Sequence, residues 1–467
     1  MKGTFLMNIS TIILAAGDGT RMKSSGPKVM CEVLGEPMIG WVADSVKEAG
    51  FPDENIGVVV GNGAEIVKEY IAKKGSFNVF LQAERKGTGH AVMQAADMLD
   101  KGENVLILCG DAPFIDSETI LKALNEHTYS GNDVTVVTAK IAEPASYGRI
   151  IRDENGGLLK ITEKKDCTEE ELKINEINSG VYWFKSAALK EALPLLSTAN
   201  ASGEYYLTDA VGIIKEKNGK AGAFISENSD IVLGANSRRD LLELNTKARM
   251  RVIDRLLDEG VEFPCTDGII IGKDAVIGRD TKILPNTIIR GKTVIGEGCV
   301  IGPNSLIEDT TVGNNVTLNN VQAYSSKVGN NVKVGPFAQL RPDTVLHDGV
   351  KIGDFVEVKN AEIGVKTSIA HLTYIGDSDV GKDVNFGCGC VTANYDGVNK
   401  YRTIIGDHAF IGCNTNLIAP VEIGENATTG AGSTVTGKIP ADSLVVERAA
   451  AKVIEHWEKN SKRIRKA

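Results

Sequence analysis

No run of about eighteen apolar residues occurs in the 467-residue chain, so no segment is expected to span a membrane. Basic charge is also short. The 52 Lys and Arg stand against 61 Asp and Glu, a net charge of −9 with pI near 5.4, which argues against general binding to nucleic acid or a membrane surface. The eight cysteines include no CxxC and no paired spacing, which fits a reducing cytoplasm and not a disulfide framework. A signal peptide is wanting too. The apolar start is broken by Asn8, Ser10 and Thr11 and a charged glycine loop follows, so Met1 to Ala16 reads as a short leader plus a first strand.

What is present is length for two or three domains and one insistent repeat. Ile occupies 271, 277, 283, 289, 295, 301 and 307, a period of six without a slip. Small or β-branched residues recur four positions after each Ile, at Ala275, Thr281, Thr287, Thr293, Cys299 and Ser305. The period resumes at Val328, Val334, Leu340, Leu346, Ile352 and Val358, at Ile363, Ile369 and Ile375, and at Ile405, Ile411, Leu417 and Ile423. Neither a helix nor simple strand alternation gives six; a coil of short flat strands with one inward aliphatic per face does. Three faces predict a rung of about eighteen residues, rising ~4.8 Å like any neighbouring strand pair. The pattern resembles left-handed parallel β-helices of hexapeptide repeats, and the handedness rests on that resemblance.

The N-terminal half alternates. Strands are expected at Thr11–Ala15, Ile56–Val60, Phe77–Leu81, Val105–Cys109 and Val134–Ala139. Helices are expected from Pro37 to Gly50 and over Glu65–Lys74, His90–Leu99 and Ser117–His127. Alternating βα units predict a mostly parallel sheet with helices on both sides and ligands beyond the strands' carboxyl ends. After the first strand comes Leu14-Ala15-Ala16-Gly17-Asp18-Gly19-Thr20-Arg21-Met22, then Pro27-Lys28. Small residues let backbone N–H groups approach phosphate, and Arg21 and Lys28 add charge. The dinucleotide fingerprint fails because Met22 replaces its third Gly, and a Walker A loop fails because Pro27 precedes Lys28. Gln82 and Gly87-Thr88-Gly89-His90 follow the third strand, and Gly110-Asp111 the fourth. A lone Asp there is ordinarily a turn or cap; opposite a phosphate loop it offers hard oxygen to Mg²⁺.

Together these motifs, in order and spacing, resemble the sugar-phosphate nucleotidyltransferases, with a Rossmann-like α/β fold. Tyr147-Gly148-Arg149, Glu163, Ile177-Asn178-Ser179-Gly180, the run from Gly203 to Asp209 and Gly234-Ala235-Asn236 extend the match. Followed by hexads, the chain from about Ser10 to Arg448 resembles a family of bifunctional uridyltransferase/acetyltransferases acting on amino-sugar 1-phosphates. The resemblance implies acetyl transfer from acetyl-CoA to glucosamine 1-phosphate, then uridyl transfer from UTP with release of pyrophosphate, giving UDP-N-acetylglucosamine. It also implies Mg²⁺, a cytoplasmic location and a homotrimer with coenzyme sites between neighbours. Residue by residue, it implies that Leu14, Ala15, Ala16, Gly17, Gln82, Gly87, Thr88, Cys109, Gly110 and Asp111 line the nucleotide side. Arg21 and Lys28 hold phosphates; Asp111 and Asn236 ligate the metal; Gly148, Glu163 and Asn178 hold the sugar. Cys109 departs from the family's usual Tyr.

Leu241, Leu244, Ala248, Val252 and Leu256 recur at helical spacing up to Gly260, predicting one linker helix whose Arg and Lys form a solvated face. The boundaries are therefore set at 1–238, 239–260 and 261–467. The sharpest break in the hexads, Thr392 to Arg402, is polar and glycine-containing and should project as a loop. Near it lie Arg341, Glu357, Lys359, His371 and Tyr374. A zinc site from His347, His371 and His408 is one alternative, but their spacing lacks a close pair. The resemblance implies His371 as the base that deprotonates the sugar amine, Arg341 and Lys359 as phosphate grips, and Tyr374, Asn385 and Asn394 as sugar positioners. Glu357 either orients His371 or contacts the amine. Asn394, Tyr395, Ala431 and Arg448 are expected at acetyl-CoA, with Cys388 and Cys413 standing where the family has Ala and Ser. A covalent cysteine mechanism competes there with simple filling of a small-residue slot. The tail carries Lys459, Lys462, Arg463, Arg465 and Lys466, expected either as a frayed end or as an attraction for coenzyme phosphates. Three rival readings are a single-function nucleotidyltransferase with a structural or regulatory coil, the same fold acting on a different nucleotide or sugar, and a non-catalytic scaffold.

Overall fold

The computed structural model describes residues 8–456 except 18 and 145, so the proposed leader's first seven residues and the five tail cations lie outside the described residues. The chain divides into two compact units, Met1–Ala248 and Arg249–Ala467.

The first unit is a nine-stranded sheet. Its strands are β1 (Ile9–Ala15), β2 (Ile56–Val60), β3 (Asn78–Leu81), β4 (Asn104–Cys109), β5 (Val134–Lys140), β6 (Arg149–Arg152), β7 (Leu158–Thr162), β8 (Glu176–Lys185) and β9 (Ala221–Ile225). They run β9-β5-β8-β4-β1-β2-β3, with the β6–β7 hairpin attached to β8. β1 is parallel to β2 and β4, and β2 to β3. The sheet is mostly parallel, as the alternation predicts, but β8 runs antiparallel to both β4 and β5 because it enters by way of the hairpin. Alternate residues serve opposite faces. Ile13, Val58, Leu106 and Trp183 belong to one core, and Ile12, Val59, Ile107 and Phe184 to the other. Burial on both faces is why these strands read as unbroken apolar runs.

The helices are α1 (Met38–Glu48), α2 (Ala64–Ala72), α3 (Thr88–Gln94), α4 (Ser117–Tyr129), α5 (Ser186–Ala192), α6 (Asp209–Glu216) and α7 (Arg238–Asp258). The helix expected over His90–Leu99 is two pieces. Ala95 leaves helical geometry (φ −107°, ψ 26°), its N–H bonds three residues back to Val92, and a 3₁₀ turn covers Ala96–Asp100. α7 starts at a capping box: the Asp240 carboxylate accepts the N–H groups of Asn236 and Ser237, while the Asp240 N–H donates to Ser237 Oγ. Its basic residues are not merely solvated. Lys247 pairs with Asp230, and Arg249 and Arg255 donate to the carbonyls of Thr266 and Ala275.

The second unit is a parallel coil of three strand stacks. Ile271 lies beside Ile289 and Ile289 beside Ile307, eighteen residues apart. Later rungs shorten, with Ile307 beside Ala323 and Ala323 beside Leu340, and these are the slips in the period. All seven of the first isoleucines are 0–3% exposed, and the small residues between them fill the corners. There Thr287 and Thr293 hydroxyls donate to the carbonyls of Leu284 and Arg290, satisfying turns that the ladder leaves unpaired. Of the 392–402 segment, Thr392 and Asn394 are buried and the projecting part begins at Tyr395: Val391 before the segment lies beside Asn416 after it, and the Tyr395–Lys400 bridge and the Arg402–Asp379 ion pair hold the stem. Ile301→Ala, in a fully buried slot, should cost about 2–5 kcal/mol and lower the urea midpoint of the coil's unfolding transition by circular dichroism. An unchanged midpoint would show that the stack does not carry the coil's stability.

Candidate active sites

In the first unit two adjoining cavities, of about 230 and 550 Å³, open at the carboxyl ends of β1, β3 and β4. Leu14, Thr88, Cys109 and Asp111 line both. The larger also meets Ala16, Gly17, Lys28, Gln82 and Gly87; the smaller meets Gly148, Glu163, Asn178 and Asn236. Three expected residues line neither. Ala15 is buried in the core, the Gly110 N–H is taken by the Leu14 carbonyl, and Arg21 is exposed beside Asp240. Burial would raise the Asp240 carboxyl, but the N–H groups of Asn236 and Ser237, with the charge of Arg21, hold it below its ordinary value.

Asp111 and Asn236 come from distant stretches and converge on one cation. The Lys28 ammonium donates to Asn236 Oδ1 at 3.1 Å and forms an ion pair with the Asp111 carboxylate. Gly87 permits the neighbouring loop. It holds φ 102°, ψ 178°, a region open essentially to glycine, and a Cβ there would meet the Tyr205 carbonyl oxygen at 2.5 Å. Gln82 braces this loop by donating to the Gly87 carbonyl. In the smaller cavity burial pushes the Glu163 carboxyl up, while a hydrogen bond from Thr208 opposes it. Burial pushes the Cys109 thiol up to about 12, and the nearby Asp111 adds to it, so this side chain is a neutral wall. Asn178 donates to the hydroxyl of Tyr182.

In the second unit two groups of residues emerge. Arg341 Nη1 donates to Glu357 at 2.8 Å, and Glu357 stands beside Tyr374 on the next rung. Burial and Glu357 push the Tyr374 hydroxyl up, offset by a hydrogen bond with Asn394. Asn394 and Asn360 both donate to buried Asp377. The charge of Lys400, ahead of partial burial and Arg341, holds the Lys359 ammonium below its ordinary value. Lys359, Lys400 and Arg341 thus bring three cations together on one face, with Glu357 and Asp377 beside them.

The second group is a column at one corner of the coil. Backbone N–H groups of Leu372, Gly389, Asn414 and Gly432 donate to the carbonyls of Asp354, His371, Cys388 and Cys413 in turn. Asp354, His371, Cys388, Cys413 and the exposed Ala431 therefore stack on successive rungs. Asn385 lies at the exposed edge of the strand leading to Cys388. Arg448 is exposed near Gly432, and Tyr395 is 60% exposed with its hydroxyl on the Gly397 carbonyl. Of the two roles left open for Glu357, orienting His371 is not what the structure shows: Glu357 is held by Arg341, and His371 pairs with Asp354. His347 and His408 lie apart, beside Glu362 and Asp383.

The nucleotidyl transferase family profile matches residues 10–235, and the bacterial transferase hexapeptide profile matches 274–309, 325–360 and 402–437. Bifunctional protein GlmU of Thermoanaerobacter pseudethanolicus is 48% identical over 447 residues, spanning 96% of this chain and 97% of that protein. Those of Clostridium novyi (46% over 450 residues; 96% and 98%) and Clostridium perfringens strain SM101 (46% over 463 residues; 98% and 100%) align as fully.

The chain belongs to the bifunctional GlmU family. It is an enzyme of UDP-N-acetylglucosamine synthesis with uridyltransferase and acetyltransferase activities, acting on small-molecule substrates. A GlmU nucleotidyltransferase half uses a divalent metal, and the donor set fits one: two hard oxygens meet at a point where a cation already sits. Among the described residues no helix is long and apolar enough to cross a membrane. Some lining residues were given no role from the sequence, although Glu204 and Lys400 fall in stretches singled out there. Arg85 and Glu204 line the larger cavity and Tyr182 the smaller, while Asp377, Asn360 and Lys400 complete the acetyl-side surface. Arg85 was findable, three residues after Gln82 in the same loop; Tyr182 reads as an ordinary strand aromatic. Gly87→Ala should raise the KM for UTP about 5- to 150-fold, the equivalent of 1–3 kcal/mol of backbone strain, with acetyl transfer unchanged. Steady-state kinetics of both activities checks this, and an unaltered KM would remove Gly87 from the nucleotide site.

Proposed function

We propose that the segment 1–238 is the uridyltransferase, 239–260 the linker helix and 261–467 the acetyltransferase. In the first, the larger cavity takes UTP and the smaller GlcNAc 1-phosphate, with Mg²⁺ the metal. The observation that carries this is the convergence of Asp111 and Asn236 where the cavities meet. Mg²⁺ on those two oxygens would neutralise charge on the nucleotide phosphates. Lys28 and Arg21 supply further positive charge, and Gln82, Gly87 and Thr88 seat the base and ribose. Glu163, Asn178 and Gly148 orient the sugar so that its phosphate oxygen attacks the α-phosphorus and pyrophosphate leaves. Positioning and charge account for the rate; no covalent intermediate on the protein is needed.

In the coil, Arg341, Lys359 and Lys400 hold the sugar phosphate, Tyr374, Asn385 and Asn394 the sugar, and His371 takes the proton from the amine. Cys388, Tyr395, Cys413, Ala431 and Arg448 face acetyl-CoA. The acetyl-side residues stand open on one chain: the side chains of Arg341, Glu357 and His371 are 41, 36 and 58% exposed. Acyl transfer gains from excluding water, which supports a homotrimer whose neighbours cover these surfaces. Free thiols at all eight cysteines, together with the substrates UTP and acetyl-CoA, support a cytoplasmic location.

The test is a coupled reaction: purified protein with glucosamine 1-phosphate, acetyl-CoA, UTP and Mg²⁺ should yield UDP-N-acetylglucosamine. Asp111→Ala should abolish uridyl transfer and leave acetyl transfer within twofold; comparable losses of both in a folded variant would defeat the two-site reading. His371→Ala should slow acetyl transfer by about 10²–10⁴-fold, the usual worth of a general base. Cys388→Ala and Cys413→Ala should retain acetyl transfer, and a trapped acetyl-cysteine would reverse that assignment.

A further inference from the structure

Asp354 has no role in the scheme above, yet among the described residues it is the one side chain bonded to the proposed base. Asp354 and His371 are register partners on adjacent rungs, each just before a left-handed corner residue, Phe355 or Leu372. Stacking brings the carboxylate Oδ1 to 3.0 Å from the imidazole Nδ1. The carboxyl is held below its ordinary range, first by its own backbone N–H and then by His371, so it is an anion and an acceptor at neutral pH. An anionic acceptor at Nδ1 keeps the proton on that nitrogen and the lone pair on Nε2.

Acid partners are common on this coil, so geometry must set this pair apart. His347 is bound through Nε2, at 2.7 Å from Glu362, the nitrogen a base would need free. His408 Nδ1 stands 3.9 Å from Asp383, beyond hydrogen-bonding distance. Only at His371, among the described residues, is Nδ1 engaged at hydrogen-bonding distance by a carboxylate with Nε2 left over, and there the column continues into Cys388 and Cys413. Glu357 cannot substitute while Arg341 holds it.

We propose that Asp354 is the positioning residue for acetyl transfer, fixing the His371 imidazole as the Nδ1–H tautomer so that Nε2 accepts the proton of the attacking amine. This rests on the reading of His371 as the base. As the amine nitrogen bonds to the thioester carbonyl carbon, its proton passes to Nε2. The C–S bond breaks, coenzyme A departs as thiolate, and the imidazolium returns the proton to that sulfur.

The experiment pairs kinetics with histidine nitrogen NMR on the full-length protein, whose six histidines are few enough to assign by substitution. Asp354→Ala should lower the kcat of acetyl transfer ten- to a hundredfold while the KM values of both substrates stay within threefold. Asp354→Asn keeps an acceptor at Nδ1 and should retain more activity than Asp354→Ala. The His371 signals should report Nδ1–H in the parent protein and a shift toward Nε2–H in Asp354→Ala. Glu362→Gln should leave acetyl transfer unchanged. An unchanged kcat or an unchanged tautomer in Asp354→Ala overturns the proposal, even where His371→Ala is inactive and the base assignment stands. Full activity in His371→Ala overturns both.

Discussion

One inward aliphatic side chain per face is the constraint on which the coil depends. Because the rungs stack as parallel strands, residues sixteen to eighteen apart in sequence become neighbours ~4.8 Å apart. Arg341 thereby reaches Glu357, Glu357 stands beside Tyr374, and Asp354 meets His371. None of these residues contributes to the core. Their positions are set by Leu340, Val358, Ile375, Ile352 and Ile369, which are all at most 1% exposed. The apolar period thus serves function indirectly: it fixes a lattice of outward positions, and chemistry occupies a few of them.

The first unit solves the same problem by a different route. Parallel strands end at one edge, so the loops after β1, β3 and β4 meet without being close in sequence. Lys28 is the clearest product. It is 83 residues before Asp111 and 208 before Asn236, and still bonds both. Two oxygens aimed at one cation are costly unless a positive charge satisfies them. The lysine does so here, at the point where phosphates and metal are expected to gather.

The sequence was most legible where structure repeats. The hexads yielded the rung length and the buried positions, and the βα alternation yielded β2 to the residue, because a strand buried on both faces leaves an unbroken apolar run. Helix α7 was legible from its 3.6-residue period; that Arg249 and Arg255 bond to turn carbonyls was not, since a long cation reads alike whether solvated or bound. Among the residues lining the two cavities, loops with unusual composition betrayed Gly87 and Asp111. Arg21 was assigned to the phosphates by resemblance alone; in the fold its charge lies beside Asp240, a neighbour that the sequence did not announce. Asp354 was missed for a simpler reason: its importance lies in being one rung from His371, and a rung of variable length hides such partners until register is known.

The corner that carries this column also records where the chain departs from local preference. Early rungs turn on Asn286, Asn304 and Asn320, all left-handed, with their side-chain amides bonded in a ladder. Asn tolerates that conformation and a polar ladder suits a solvated edge. The next three rungs place Phe337, Phe355 and Leu372 there, also left-handed, exposed, with the two phenyl rings stacked at 5.5 Å. Bulky residues pay roughly 1–2 kcal/mol each for that backbone. The rungs that bear this strain are the ones carrying Arg341, Asp354, Glu357, His371 and Tyr374. Regular rungs follow the cheapest turn chemistry, and the departure from it coincides with the residues to which acetyl transfer is assigned.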